Sequence, residues 1–597
     1  MRRSTVCALA FAALAVVAPF SVRGVACGHD LTFHMNSWME VAQQWREGIV
    51  YPRWAEYANY GSGEPRFLFY PPLSWILGGA LGSLLPWTFV PGAFACCAVF
   101  LAGMATHKMA REWFDQPDAT LIAVAYAVSP YMLLTIYVRS AFAELLAASF
   151  LPLLVLWIVR ERPARAMFIP LALTIAGVWL TNVPAAIIAT YVAALLLAVV
   201  TIFRRNARVF LCGCAAIAVG MLLAAFYIVP VLYERNWITV GQVLSAGGRP
   251  AENFLFTRIG EPEHDAFLRT LSWLAIVELA ITGVAMFVAR GWRRSNPILW
   301  WPLVILAGVS LALMLPIANL AYRFMPDLRF LQFPWRWLMV TGIAYAVLVV
   351  AAVPSFRGKA SLYAVFFVGL ISVCNLALQP QCDPEDTPFM LSSLFHAGYG
   401  YMGTDEYTPA GGDHYEIKPD FPDFTIRGED GRELAGNARA THFHAGPYRK
   451  QVTVESSQPV EIVLRLMNYP AWRVEVNGSA VALQSDDPTG RMVIAVPAGH
   501  SEVDVRFIRT PDRWLGDGVS LAALLFLCTF WYGARRSALK RPVCIRVRLY
   551  RPLKRSRFCA VRVELAFRLA SKCFIFDSES ASADGTTRVQ RLFQRPL

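Results

Sequence analysis

Asp30 and His34 are the residues whose types and spacing first suggest chemistry. They sit just after the first hydrophobic run, in GHDLTFHMNSWMEVAQQWREGIVYPRW. Four residues apart, they share one face if the segment is helical. A carboxylate there suits proton abstraction from an acceptor hydroxyl, or ligation of a metal. The same spacing equally allows Asp30 to be the N-cap of a helix from Leu31 to about Glu47. Arg139 and Glu144, in YVRSAFAELLA, fall where two apolar runs meet. Ionisable groups at that depth are costly and are retained when paired or used. The planar fork of Arg139 suits a phosphate, and a mutual ion pair that fixes the turn is the competing reading.

Aromatic and arginine residues recur in YPRW (51–54), GSGEPRFLFYPPL (61–73) and RFLQFPWRW (329–337). Arg53, Trp54, Tyr70 and Arg336 are the candidate substrate-binding groups among them. Ring faces stack on the apolar C–H faces of sugars, and outward arginines run against the positive-inside bias. Aromatic residues at a membrane interface also serve as plain anchors.

The elements that must position these residues are hydrophobic. The chain has 597 residues, of which 56% are hydrophobic and 16% charged, and a mean hydropathy of +0.44. Apolar runs of about 20 residues recur, the length that crosses a bilayer core. These features predict a mainly α, polytopic transmembrane protein of about twelve helices. The apolar piece 72–86, with its Pro71–Pro72 start and several glycines, is expected to lie in the interface or re-enter. Basic clusters at Lys108/Arg111, Arg160/Arg162/Arg165, Arg204/Arg205/Arg208, Arg290/Arg293/Arg294 and Arg357/Lys359 alternate with the candidate helices. The positive-inside rule then places both termini in the cytoplasm and the segment after the first helix outside. The N-terminus also resembles a signal peptide; an uncleaved first helix with Arg2 and Arg3 inside is the preferred reading.

Residues 1–379 are expected to form the transmembrane domain, with a long first outer loop over 28–87. Segment 380–514 is polar and alternates with a period of two, and its Asn477–Gly478 pair is a hairpin signal. It predicts a small extracytoplasmic β-sandwich, followed by a last helix over 515–534 and a basic tail over 535–597. That tail holds sixteen Lys or Arg against four acids, which accounts for nearly all of the net charge of +13. The charge therefore points to anionic lipid headgroups rather than nucleic acid. Most of the twelve cysteines lie in apolar runs as small hydrophobes. Cys27 and Cys382 fall at outer helix ends, and the spacing alone does not favour a bridge. No Walker loop, dinucleotide-binding glycine pattern, nucleophile elbow, HExxH or zinc-type His spacing occurs.

GHDLTFHMNSWMEVAQQWREGIVYPRW, FLFYPPL, YVRSAFAELLA and LQFPWRW together resemble the bacterial membrane proteins called 6-pyruvoyl-tetrahydropterin synthase-related. The C-terminal NYPAWRVEVNGSAV, VPAGHSEVDVRF and DGVSLAALL are similar to the end of YfhO-type membrane proteins. Both groups resemble the GT-C superfamily of glycosyltransferases, over residues 1–535. The resemblance implies an enzyme of the bacterial inner membrane that takes a sugar from a polyprenyl-phosphate lipid and passes it to a cell-envelope acceptor. It implies Asp30 as the catalytic or metal-binding carboxylate and Arg139 and Glu144 as further charged residues of a second outer loop. The expected reaction has Asp30 accept the proton of the attacking hydroxyl, Arg139, with Arg53 or Arg336, neutralise the departing phosphate, and His34 and Glu144 orient these groups. The superfamily's paired acids are replaced here by His29–Asp30, so a divalent Mg or Mn at Asp30 stays an open expectation. A lipid or polysaccharide translocator and a non-catalytic envelope scaffold are the alternatives; charged residues inside several helices would mark the first, and these are sparse.

Overall fold

In lipid every backbone N–H and C=O must be satisfied within the chain, so long apolar runs have to become helices. A computed structural model describes residues 2–372, 382–428, 438–482 and 487–539. Among these residues nine helices are long and apolar enough to cross a membrane, or ten if the pair Ala207–Leu223 and Ala225–Trp237, bent by 72°, is one broken span. Two of the about twelve expected helices are not among these spans. Ala164–Trp179 is apolar but only 16 residues long. The run expected over 361–379 is helical over Phe356–Ser372, and its remainder lies outside the described residues. Pro72–Gly82 is an 11-residue helix, too short to span.

Four helices matter most for the site. Arg3–Arg23 is the first span. Gln116–Tyr137 is divided at Ser129–Pro130 into Gln116–Ala127 and Pro130–Tyr137, because Pro130 lacks an N–H and disfavours helical geometry in the residue before it. Phe142–Val159 and Pro334–Ala351 follow, and both are almost wholly enclosed by other helices. Between the first span and the rest lies the amphipathic helix Leu31–Arg46, whose Met35, Trp38, Met39 and Val41 are buried.

The C-terminal strands form two antiparallel sheets. The smaller holds β1 (Phe424–Arg427), β4 (Val460–Met467) and β7 (Arg491–Val496) in the order β1-β4-β7. The larger holds β2 (Ala438–Gly446), β3 (Arg449–Ser456), β5 (Trp472–Val476), β6 (Ser479–Ala480) and β8 (Gly499–Phe507) in the order β2-β3-β8-β5-β6. Alternation places Val452, Val454, Val474, Val503 and Val505 of one sheet against Ile462, Leu464, Ile494 and Val496 of the other in one core. Asn477 and Gly478 turn β5 into β6 with φ of 52° and 78°, as the hairpin signal anticipates. The described residues up to Tyr532 form one compact unit, and the expected basic tail lies outside the described residues beyond Leu539.

Cys27 and Cys382 are joined in a disulfide across 355 residues, contrary to the reading from spacing. Sequence separation carries no information about whether two helix ends meet. Their Cα atoms are 5.0 Å apart, the range a bridge requires. Purified protein should therefore migrate faster on denaturing gels without reductant than with it. Cys27→Ser and Cys382→Ser should each remove the difference; equal mobility in the parent protein would contradict the bridge.

Candidate active site

Asp30 reaches the charged turn at Arg139 because two stretches of backbone are strapped together. Gly28 donates its N–H to Ser140 Oγ at 3.0 Å, Asp30 donates its N–H to the Arg139 carbonyl at 2.8 Å, and Ser140 Oγ donates to the Ala26 carbonyl at 2.9 Å. The approach is close enough that a Cβ on Gly28 would lie 2.5 Å from the Arg139 carbonyl carbon. Ser140 takes a φ of 49°, a conformation unfavourable for a residue with a side chain, and it directs Arg139 and Glu144 to one side of the turn. Asp30 does occupy the N-cap position of Leu31–Arg46, yet its side chain makes no capping hydrogen bond. Its Oδ2 instead faces Arg139 Nη2 at 3.4 Å, with the aspartate side chain 40% exposed.

Glu144 anchors the cluster. Its side chain is buried, and Oε2 accepts from Arg139 Nη1 at 2.7 Å and from Arg336 Nε at 3.0 Å. Its Oε1 accepts from the Tyr131 hydroxyl. Arg336 also donates Nη1 to the Leu331 carbonyl at 3.0 Å. Aromatic faces cover the cations: Arg139 lies 4.9 Å from the Trp335 ring and Arg336 lies 4.8 Å from Phe333. Burial disfavours the Arg139 charge, but the Glu144 and Asp30 carboxylates overcome it and hold the guanidinium more firmly protonated than usual. The contact to Glu144 is a short charge-assisted bond, whereas the contact to Asp30 is long for its type. Arg139 is therefore fixed by one carboxylate and only loosely engaged by the other.

The wall beside Asp30 is aromatic. Phe33 packs on Tyr70 at 4.8 Å, and Tyr407 adds a ring 6.3 Å from Phe33. His34 is buried against Tyr70, Trp38 and Phe142, and its Nδ1 has no hydrogen-bond partner. Burial lowers its imidazole to about 4, Asp30 opposing that shift and Arg139 and Arg66 reinforcing it, so His34 is neutral near pH 7. Burial, with Asp30 nearby, raises the Tyr70 phenol above its ordinary range and keeps it protonated.

Asp30, His34, Tyr70, Arg139, Glu144 and Arg336 are thus brought together. Arg53 and Trp54 are not. Trp54 is buried among Tyr469, Trp472 and Phe507 in the core of the β sheets, and its carbonyl accepts from Gln44. Arg53 lies over the Tyr51 ring and donates its backbone N–H to Tyr448, with Arg513 and Arg509 as nearby cations. An aromatic residue near a membrane face looks the same in sequence whether it lines a site or seals a β core. Tyr131 and Tyr407 escaped the sequence reading. Tyr131 could have been suspected from its place just after the Ser129–Pro130 break, whereas nothing marks Tyr407.

Asp30 is the accessible carboxylate at which a divalent metal is left open above. Among the described residues no group of three His, Cys, Asp or Glu side chains is placed to hold a metal ion. Glu144 is taken up by two arginines and a tyrosine, and Arg139 opposes a cation beside Asp30. The arrangement suits an anion next to a proton acceptor.

Residues 67–380, more than half of the chain, match the family described as 6-pyruvoyl-tetrahydropterin synthase related domain, membrane protein. A comparison with curated proteins gives no match. Among solved structures, the arabinofuranosyltransferase AftD from Mycobacteria is similar with a TM-score of 0.40 and 19% identity, covering 64% of this chain and 27% of its own. The oligosaccharyltransferase of Archaeoglobus fulgidus gives 0.35 and 14%, covering 66% of this chain and 56% of its own. ArnT from Cupriavidus metallidurans, solved with undecaprenyl phosphate, gives 0.32 and 13%, covering 71% and 93%. The chain thus spans about a quarter of AftD and little more than half of the oligosaccharyltransferase.

Two outcomes follow from the charges. Glu144→Ala leaves two buried guanidiniums without their shared counter-ion and should destabilise the protein by about 3–5 kcal/mol. Asp30→Asn, at a half-exposed group, should barely move the melting temperature in detergent; similar losses from both would contradict the anchoring role of Glu144. For His34, the folded state stays neutral while an unfolded imidazole near 6.5 takes up a proton. Stability is therefore fully present above about 6.5 and declines as pH falls toward about 4. His34→Phe should flatten that decline in melting temperature, and an unchanged profile would assign it to other groups.

Proposed function

The chain belongs to the 6-pyruvoyl-tetrahydropterin synthase related family of membrane proteins, and we propose that it is a membrane glycosyltransferase. On this reading it moves a sugar from a polyprenyl-phosphate lipid to a cell-envelope acceptor on the extracytoplasmic face. The observation that carries the reading is an accessible carboxylate, Asp30, set against a guanidinium that a second, buried carboxylate holds in place. The Cys27–Cys382 bridge next to Asp30 supports an oxidising, extracytoplasmic location for this face. Both termini are then cytoplasmic.

In the reaction the acceptor oxygen attacks the anomeric carbon while Asp30 takes the hydroxyl proton. The bond from the anomeric carbon to the phosphate oxygen breaks, its electron pair leaves with the lipid phosphate, and the configuration inverts. Arg139 has donors beyond those given to Glu144 and Asp30, and Arg336 has donors beyond those given to Glu144 and Leu331. These N–H groups receive the charge that grows on the departing phosphate. As Asp30 gains the proton it loses the charge that faced Arg139, and the phosphate takes its place. Neutral His34 and the Tyr70 and Phe33 rings shape the wall for the sugar.

Asp30→Asn should lower sugar transfer from undecaprenyl-phosphate sugars by about 10²–10⁴-fold with insertion and melting temperature intact. Arg139→Lys should also lose transfer, because a point charge cannot reproduce the fork held by Glu144. Full transfer by Asp30→Asn would sink the assignment, and lipid translocation without sugar release would replace it with a transporter.

A further inference from the structure

A second site lies at the other end of the helix that starts at Asp30. A cavity of about 300 Å³ opens between the Tyr57–Gly61 stretch, the turn at Gly398–Gly400 and the strands β3 and β4. Its walls carry the rings of Tyr57, Tyr60 and Phe443 and the charged groups Glu47, Glu56, Lys450, Asp423 and Arg465. The cations are already matched: Lys450 Nζ pairs with Glu56 at 2.7 Å, and Arg465 pairs with Asp423. With Glu47 in addition, the walls offer no positive excess, so a polyanion is disfavoured. Rings beside paired donors and acceptors are what a neutral polyhydroxylated ligand needs, since its C–H faces stack and its hydroxyls bridge the ion pairs.

The cavity is built rather than incidental. Asn59 and Tyr60 both take a φ of 51°, two consecutive side-chain-bearing residues in the left-handed region. Such strain persists only where neighbours enforce it, and it concentrates at functional sites. Here the Tyr60 N–H donates to the Tyr401 carbonyl at 3.1 Å, and Gly400 lies so near that a Cβ would fall 2.4 Å from Tyr60 Cα. Buried Glu40 ties the same stretch to the helix Leu31–Arg46. It accepts from the Glu56 N–H at 2.5 Å, the Tyr57 N–H at 3.2 Å and the Tyr401 hydroxyl at 3.1 Å. One rigid helix therefore carries Asp30 at its start and Glu47, on the cavity wall, at its end. At 1.5 Å per residue that separation is roughly 25 Å.

We propose that this cleft binds a neutral carbohydrate chain, the distal part of the acceptor glycan whose growing end lies at Asp30. The acceptor role rests on the transferase reading above; the binding itself does not. A single sugar cannot occupy both places, so the acceptor is an oligosaccharide or polysaccharide.

The test uses the full-length protein in nanodiscs and neutral oligosaccharides of glucose, mannose and galactose, from mono- to hexasaccharide, with a sulfated oligosaccharide of equal length as the polyanion. Calorimetry should show binding that strengthens with chain length for at least one neutral series and none for the sulfated chain. Tyr60→Ala and, as a second variant outside the strained turn, Phe443→Ala should each weaken it by about tenfold, the scale of one lost ring contact. Asp30→Asn should leave it unchanged. Absence of binding across the three series, or stronger binding of the sulfated chain, overturns the proposal. So does full affinity in both ring variants. Binding that meets these criteria in a protein without transfer activity would keep the cleft and remove the transferase reading. Asp30-dependent transfer whose acceptor KM is unmoved by both ring variants would do the reverse.

Discussion

The carboxylate of Glu144 is the group on which the site depends. Two guanidiniums and a phenol converge on it in a place from which water is excluded. An ion of this kind loses several kcal/mol of hydration on burial, and only well-placed partners recover that loss. Because Tyr131, Arg139 with Glu144, and Arg336 come from three different stretches, the carboxylate also joins the spans that carry them. In the transfer proposed above, this arrangement would orient the cations before any substrate arrives.

The first outer segment is fitted to that anchor by covalent and hydrogen-bonded constraints. The Cys27 bridge fixes its start, and Gly28 lies against the 138–140 backbone where no side chain would fit. Asp30 then enters the helix in the capping position without capping it. A cap of this type normally contributes about 1 kcal/mol. Leaving that stabilisation unused, while the carboxylate turns toward Arg139, is the local sign that something other than helix stability decides its direction.

What could be read from the sequence follows from the same costs. Arg139, Glu144 and Arg336 stood out because charge at the edge of an apolar run is expensive wherever the chain folds. Asp30 stood out for its place after the first span, although capping and chemistry could not be separated there without the 3.4 Å contact to Arg139. Strand alternation and the Asn477–Gly478 turn are local properties, so the β sheets were legible. Cys27–Cys382, Trp54 and Tyr407 depend on contacts across hundreds of residues, which no local pattern records. Apolar composition marks a run but not its length or straightness, so the 16 residues of Ala164–Trp179 and the 72° bend after Leu223 were not legible.

The helix Leu31–Arg46 gives the two regions a fixed relation. Its apolar residues are packed against the short helices Pro72–Gly82 and Pro388–His396 and the rings of Phe94 and Phe142, and buried Glu40 halfway along it holds the Glu56–Tyr57 backbone that borders the cleft. Bending such an element would break its internal hydrogen bonds and open the packing around Trp38, which is fully buried. The spacing from Asp30 to the cleft is therefore a constant of the fold rather than the average of a mobile loop. A ligand held at the far end has its near end delivered to a narrow range of positions. Orientation of that kind lowers the entropic barrier to reaction without any added contact at the reacting atoms. Selection of a chain by its length would then be a mechanical property of one buried helix, separate from the charge chemistry at its beginning.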